Sequence, residues 1–514
     1  MSPIVIIAIL LGYFALLMSI SWFTTRTSSS DNDYFLGSKK SPWYAVAFGM
    51  LGDSLSGVTF ISVPGAVKDA QFSYFQLVIG YFVGYIVISR ILLPLYYKLE
   101  LTSIYSYLGQ RFGVWSERTG AFYFLISRTL GAAARLFLAV GVIQLFVFDA
   151  LGIPFEISVA IVIVLMLIYT FKGGIKTLVW TDVLQSSVLL LGVVLSIYAI
   201  CQQMNLGLTD MVQQVAQSPR NQLFFWDWHE KSFFPKQFFG GMFIAIAMTG
   251  LDQNMMQKNL SCPNIADAQK NIRWFSVVMV IVNIFFLCLG ALLYQYLQHF
   301  HIAMPMNANG KEVTDHVFPM LALKYFGAFG AAVFILGLTA ATFSSADSVL
   351  TTLTTSFYVD VLHADTSDKW DANKKRWIRR MVHIGFAIVL MLVIFVFKWM
   401  NQSAIIDTVL MIAGLTYGPL LGLFAFGILL HRSLMDKWVP VVCLSAPLIT
   451  YIVAFVGGMK DSFPTLYHAL VGADGVWLGG YKFGNELLIF NALLTFAGLW
   501  LISKSSTSVR TSNV

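Results

Sequence analysis

The stretch AATFSSADSVLTTLTTSFY, residues 340–358, reads as an apolar helix carrying a seam of small hydroxyl side chains and one carboxylate. Residues three, four and seven apart share one face of a helix. Ala341, Ser344, Ser345, Ser348, Thr352 and Thr355 therefore line up, with Asp347 beside them. Oxygens at that density are what a small hard cation needs in exchange for its water shell. Hydroxyls in a membrane helix also bond back to their own backbone or across to a neighbour, which is the plainer explanation of a lone Ser. A carboxylate within the seam favours the cation, because a charge at membrane depth is costly and by default marks a functional site.

The membrane itself follows from composition. Of 514 residues, 57% are hydrophobic and only 11% charged, where a soluble domain carries about 25% charged residues. About 13 apolar runs of spanning length or near it can be counted. They cover 4–23, 43–67, 72–97, 119–148, 155–171, 177–201, 235–257, 272–297, 328–362, 377–397, 404–430, 438–458 and 486–503. Numbered from zero, the ten from 43–67 to 404–430 are spans one to ten. A soluble multidomain enzyme is excluded. The net charge of +7 does not point to nucleic acid, because the basic residues sit in short loops between spans. Cys201, Cys262, Cys288 and Cys443 are scattered, so neither a disulfide framework nor a zinc site is implied.

Lys and Arg orient the chain. With the amino end outside, about 21 fall in inner loops against about 9 in outer ones, and the carboxyl end lies in the cytoplasm. The first run lacks a basic leader and a cleavage motif, so it reads as a retained span. The tail from Ser505 is short and rich in Ser and Thr.

Span one is interrupted by Gly52-Asp-Ser-Leu-Ser-Gly57 and carries Pro64-Gly65. Span six, five spans later, carries Gly240-Gly241 and then Met248-Thr-Gly250. Glycines in membrane helices also serve close packing. Paired interruptions in corresponding spans of two halves point instead to an inverted-repeat transporter with its substrate at mid-membrane. Span one strengthens that reading, because Asp53, Ser54, Ser56, Thr59 and Ser62 accompany its glycines. Carbonyls freed near Gly52 to Leu55 would face Ala341, Ser344 and Ser345 on span eight. Two carbonyls, a third from span eight and two hydroxyls make an uncharged cage suited to a monovalent ion that must leave every cycle.

Asp182 lies just inside span five. It is either an interfacial acid reaching water or, with Asp347 and Ser348, a second cation or proton site. The hydroxyls at Thr352 and Thr355 continue toward the cytoplasm as an expected ion exit. On span three, Arg128 and Arg135 are two turns apart on one face. Arg135 falls near mid-membrane, and two readings stand side by side. It pairs with an internal acid, Asp53 or Asp347, or it forms a fork for a substrate carboxylate. Arg90 and Arg128 are expected to snorkel to the cytoplasmic interface. Gly414-Leu-Thr-Tyr-Gly-Pro419 is expected to bend span ten, as a moving gate or a static kink.

At these residues the chain resembles the sodium:solute symporter family, which includes bacterial proline, galactose and sialic acid symporters. The most specific points are Ser56-Gly-Val-Thr-Phe-Ile-Ser-Val-Pro-Gly65, Thr181-Asp-x-x-Gln185, Asp252-Gln-x-x-x-Gln-Lys258 and Ala341-Thr-Phe-Ser-Ser345. The resemblance implies an all-α integral membrane protein with a LeuT-type 5+5 inverted repeat and about 13 transmembrane helices. It divides the chain into an additional span and loop (1–40), a ten-helix core (41–432), two C-terminal spans (433–503) and a cytoplasmic tail (504–514). It puts sodium on the carbonyls of Gly52, Leu55 and Ala341 and the hydroxyls of Ser344 and Ser345. The additional sodium site of some members falls on Asp182, Ser344, Asp347 and Ser348, with Asp347 where a Ser is frequent. Ser54, Val58, Thr59 and Met248 depart from the family's galactose pattern. Hydroxyls at Ser54, Ser56 and Thr59 with an Arg on span three resemble the sialic acid type. Asp53, Arg135 and Gln76 complete the expected substrate set.

The expectation is a symporter, not an enzyme, in the cytoplasmic (inner) membrane. It takes up a small organic solute such as a sugar, a sugar acid or another carboxylate with sodium, by alternating access, as a functional monomer in the lipid bilayer and without nucleic acid. The alternative is proton coupling through Asp53, Asp182 or Asp347. A sensor would be expected to carry a signalling domain, and a channel would accumulate no solute.

Overall fold

The computed structural model describes residues 3–25, 31–307, 310–365, 369–400, 405–462, 481 and 483–504, so most of the expected tail (505–514) lies outside the described residues. Each apolar run of the sequence is helical over its described part. The first half comprises α1 (Pro3–Thr25), α2 (Trp43–Ser54), α3 (Gly57–Ala70), α4 (Tyr74–Lys98), α5 (Val114–Ile143), α6 (Phe155–Phe171) and α7 (Gly174–Gln203). The second comprises α8 (Phe234–Ala245), α9 (Gln253–Leu260), α10 (Ile265–His299), α11 (Gly327–Val361), α12 (Ala372–Met400), α13 (Ile405–Leu429), α14 (Val439–Ser462) and α15 (Leu487–Leu501). Among the described residues eight helices are by themselves long and apolar enough to cross a bilayer, and α2 with α3 makes a ninth across their bend. The helices α6 (155–171) and α15 (487–501) are shorter and apolar. The only ladder among the described residues joins Ser433–Leu434 to Ser503–Lys504.

Packing repeats with a shift of five spans. α11 lies along α7 as α13 lies along α5, and α8 lies along α4 as α10 lies along α3. Two halves of equivalent helices therefore interlock. The apolar windows of α5 and α11 are each 67% buried, whereas those of α1, α12 and α14's region are 28%, 28% and 22% buried, so the hydroxylated helix is central and the additional spans are peripheral. Polarity is distributed inside out. Asp53, Asp182, Lys258, Ser344 and Asp347 are buried, while Leu191, Leu392 and Leu444 are exposed on the rim. That arrangement suits a solvent of lipid tails, in which apolar side chains have no reason to hide.

Three points of expected interruption matter. Between α2 and α3 the chain bends by 59°, because Leu55 (φ −95°, ψ 71°) leaves helical geometry and Ser56 is extended. In the second half, α8 runs unbroken through Gly240-Gly241, contrary to the expected break there. Both glycines serve packing: a Cβ on Gly241 would strike the Leu77 backbone, and one on Gly240 would strike Asn485. The break comes at the other expected place, Met248-Thr-Gly250, where a wide turn at Ile246–Gly250 ends and Asp252 caps α9 by accepting from the Met255 N–H at 3.1 Å. The third is α13, which continues as one element through Pro419.

Candidate functional site

The first part of the site is the seam between the α2–α3 break and α11. The Gly52 N–H donates to Ser186 Oγ on α7 at 2.9 Å. A methyl group on Gly52 would collide with Ser344 Oγ and stand 2.8 Å from Ser186 Oγ, so a side chain here would force the two elements or these serines to shift. The last carbonyls of a helix have no intrahelical donor. Those of Gly52 and Leu55 lie at the interruption, and no backbone donor crosses it among the described residues. On α11, Ser344 donates its proton to Asp182 Oδ1 at 3.0 Å, and Ser345 donates to the Thr342 carbonyl at 3.1 Å. A hydroxyl that has given away its proton presents only lone pairs to the space beside it. The break and the ridge are thus adjacent, and their free valence is oxygen lone pairs.

The second part is a buried charge cluster. Lys258 on α9 is 1% exposed, and its ammonium donates to Asp53 Oδ2, to Asp182 Oδ2 at 2.5 Å and to Ser348 Oγ at 2.9 Å. By sequence this lysine falls just past span six, at the start of a loop. Its spacing explains its position: Asn254, Gln257 and Lys258 share one face of α9. Along that face Thr352 donates to Asn254 Oδ1 (3.4 Å), Gln257 donates to Thr355 (3.3 Å), and Lys258 meets Ser348. Thr352 and Thr355, the expected exit hydroxyls, also bond back to the carbonyls of Ser348 and Thr351. Asp347 has a donor set of its own. Its oxygens accept from the Tyr169 hydroxyl (2.7 Å), from Gln185 Nε2 (3.4 Å) and from the Ser348 N–H (2.5 Å).

The third part is a cavity of about 120 Å³ beside the break. Asp53, Ser54, Ser56, Thr59 and Arg135 all line it, together with Tyr74, Tyr81, Met248 and Thr249. Asn254 and Lys258 both bond Asp53 Oδ2, whereas Asp53 Oδ1 is buried with no hydrogen-bond partner among the described residues. Arg135 has no ion pair among the described residues either, so an internal Asp53 or Asp347 partner is not observed. Arg128 does not snorkel. It is buried, and its Nε lies 2.5 Å from Asp252 Oδ2, which also accepts from the Tyr417 hydroxyl at 2.6 Å. The reason is position: α5 runs through the middle of the bundle, so Arg128 finds an acid sooner than an interface. Gln76 is away from the cavity lining. Its amide ties the loop between α7 and α8 to α4, accepting from the Phe225 N–H (3.3 Å) and donating to the Ser232 carbonyl (2.8 Å).

A model of the sodium:solute symporter family matches residues 34–435. The sodium/sialic acid symporter SiaT of Proteus mirabilis is 25% identical over 92% of this chain and 93% of its own. The sodium/sialic acid symporter NanT of Aliivibrio fischeri is 26% identical over 82% and 83%. Among solved structures, a substrate-bound, outward-open Na+-coupled sialic acid symporter superposes with a TM-score of 0.76 at 22% identity, covering 96% of this chain and 97% of the other.

Proposed function

The chain belongs to the sodium:solute symporter family, and from that premise we propose that its solute is an acidic sugar of the sialic acid class. It is a multi-pass membrane protein that couples sodium to the uptake of a small solute. In the proposed cycle, sodium binds the carbonyls of Gly52, Leu55 and Ala341 and the hydroxyls of Ser344 and Ser345. The ion then holds the broken span against α11. The cavity adjoins that break, so an ion that fixes the break also shapes the cavity wall formed by Asp53, Ser54 and Ser56. By linkage, the solute must tighten sodium binding by the same factor as sodium tightens solute binding.

The observation that carries the solute class is Arg135, a guanidinium lining the cavity with no acid paired to it among the described residues. A planar fork of donors matches a carboxylate bidentately. Ser54, Ser56, Thr59 and the free Oδ1 of Asp53 then serve sugar hydroxyls. The names of SiaT and NanT support the same class. The ten-helix core is placed at 41–432 in the cytoplasmic membrane, amino end outside and carboxyl end inside, working as a monomer. The bias of Lys and Arg toward one set of loops supports that orientation.

Purified protein in liposomes tests the reading. An inward sodium gradient should drive accumulation of labelled N-acetylneuraminate, and a pH gradient in sodium-free buffer should not. Sodium-driven uptake of neutral sugars with no uptake of the acid would reject the solute class.

A further inference from the structure

We propose that the Lys258 ammonium is a tethered cation filling the second cation position of this chain, so that each cycle binds one sodium. This rests on the reading that sodium binds between Gly52 and Ser345. An ammonium has three protons to donate, and Lys258 directs them at Asp53, Asp182 and Ser348. Asp182 and Ser348 are the oxygens a second sodium would need. Their facing lone pairs are already committed, and a free cation entering beside the ammonium would meet an unscreened like charge in a buried site.

Charge balance agrees. With one sodium at the break, Asp53 and Asp182 face two positive charges, the ion and Lys258. The third acid, Asp347, is held separately by three donors, from Tyr169, Gln185 and the Ser348 backbone, which is how a buried carboxylate is kept without a metal. The tether also differs from an ion in what it can do. Lys258 rides on α9, the inner half of a broken span, and bridges the α2–α3 break to α7. It cannot leave when the site opens inward, so only the ion at the break is released and carries the coupling.

The test is equilibrium binding of 22Na+ to the full-length protein in lipid nanodiscs, with no solute present. The wild type should bind one sodium per chain, and Lys258→Arg should also bind one. Lys258→Met keeps the chain length, removes the charge and uncovers Asp53, Asp182 and Ser348. It should bind a second sodium, which Lys258→Met combined with Asp182→Asn should lose again. Two sodium ions per wild-type chain overturn the proposal, as does a folded Lys258→Met that still binds one. The wild-type count decides even if Lys258→Met does not fold. The underlying sodium-site reading is scored separately, by whether Ser345→Ala abolishes the wild-type ion.

Discussion

Arg128 Nε lies 2.5 Å from Asp252 Oδ2, and Arg135, two turns along the same helix, lines the cavity with no acid paired to it among the described residues. One helix thus carries two guanidiniums of opposite availability. The first is spent on joining α5, the α8–α9 break and, through Tyr417, α13. The second keeps its donors toward the cavity, where we propose that it meets the solute. The difference comes from what each meets across the interface, since the residue type is the same.

Arg135→Gln should therefore impair the solute without disturbing the ion. A hydrogen bond to a charged group contributes about 1.5–3 kcal/mol, which corresponds to about 10–100-fold in affinity. The KM for N-acetylneuraminate should rise by that factor, with Arg135→Lys intermediate because it keeps charge but loses the fork. Sodium-induced thermal stabilisation should stay as in the wild type. An unchanged KM would remove Arg135 from the solute site.

Asp252→Asn should act on stability instead. Removing one partner of a buried ion pair costs about 3–5 kcal/mol, because the other charge stays buried and uncompensated. A marked drop in the unfolding temperature of detergent-solubilised protein is expected, and Arg128→Met combined with Asp252→Leu should recover part of it. Tyr417→Phe removes one donor to the same carboxylate and should cost less than Asp252→Asn.

How much of this was legible in the sequence depends on what each inference needed. The spans, the interruption at Gly52–Gly57 and the hydroxyl seam of α11 need only hydropathy and periodicity, and the helices match them. Lys258 needed tertiary information. Ending span six at residue 257 leaves it one position outside, where a lysine reads as an inner-loop charge. Only the approach of α9 to α2, α7 and α11 shows it facing Asp53, Asp182 and Ser348. Arg128 was misread for the same reason, since snorkelling assumes a helix that faces lipid. Gly240-Gly241 reads as a break because glycine weakens any isolated helix, yet here the missing side chains admit the Leu77 backbone and the Asn485 side chain.

Gly52→Ala tests the seam itself. The added methyl meets Ser344 and Ser186 where the two elements touch, so it should push the break away from α11 and weaken sodium binding. The sodium concentration for half-maximal uptake should rise at least about tenfold, the equivalent of about 1.4 kcal/mol. Gly385→Ala, where a Cβ meets nothing within 4 Å, serves as the control and should leave it unchanged. Sodium dependence indifferent to Gly52→Ala would separate the ion from this seam.

α13 passes through Pro419 as one helix. Proline has no N–H, so the Leu415 carbonyl one turn earlier loses its helical donor. Asn491 on α15 replaces it, its Nδ2 donating to the Leu415 carbonyl at 2.9 Å and to the Gly414 carbonyl at 3.0 Å. Asn491 is fully buried, so water does not readily substitute. Asn491→Leu should leave the Leu415 carbonyl unsatisfied, at about 1–3 kcal/mol, and lower the unfolding temperature. Adding Pro419→Ala restores an N–H within the helix for that carbonyl, so the double variant should be more stable than Asn491→Leu alone. Equal unfolding temperatures for the single and double variants would show that the Asn491 amide supports α13 by packing and not by replacing the lost donor.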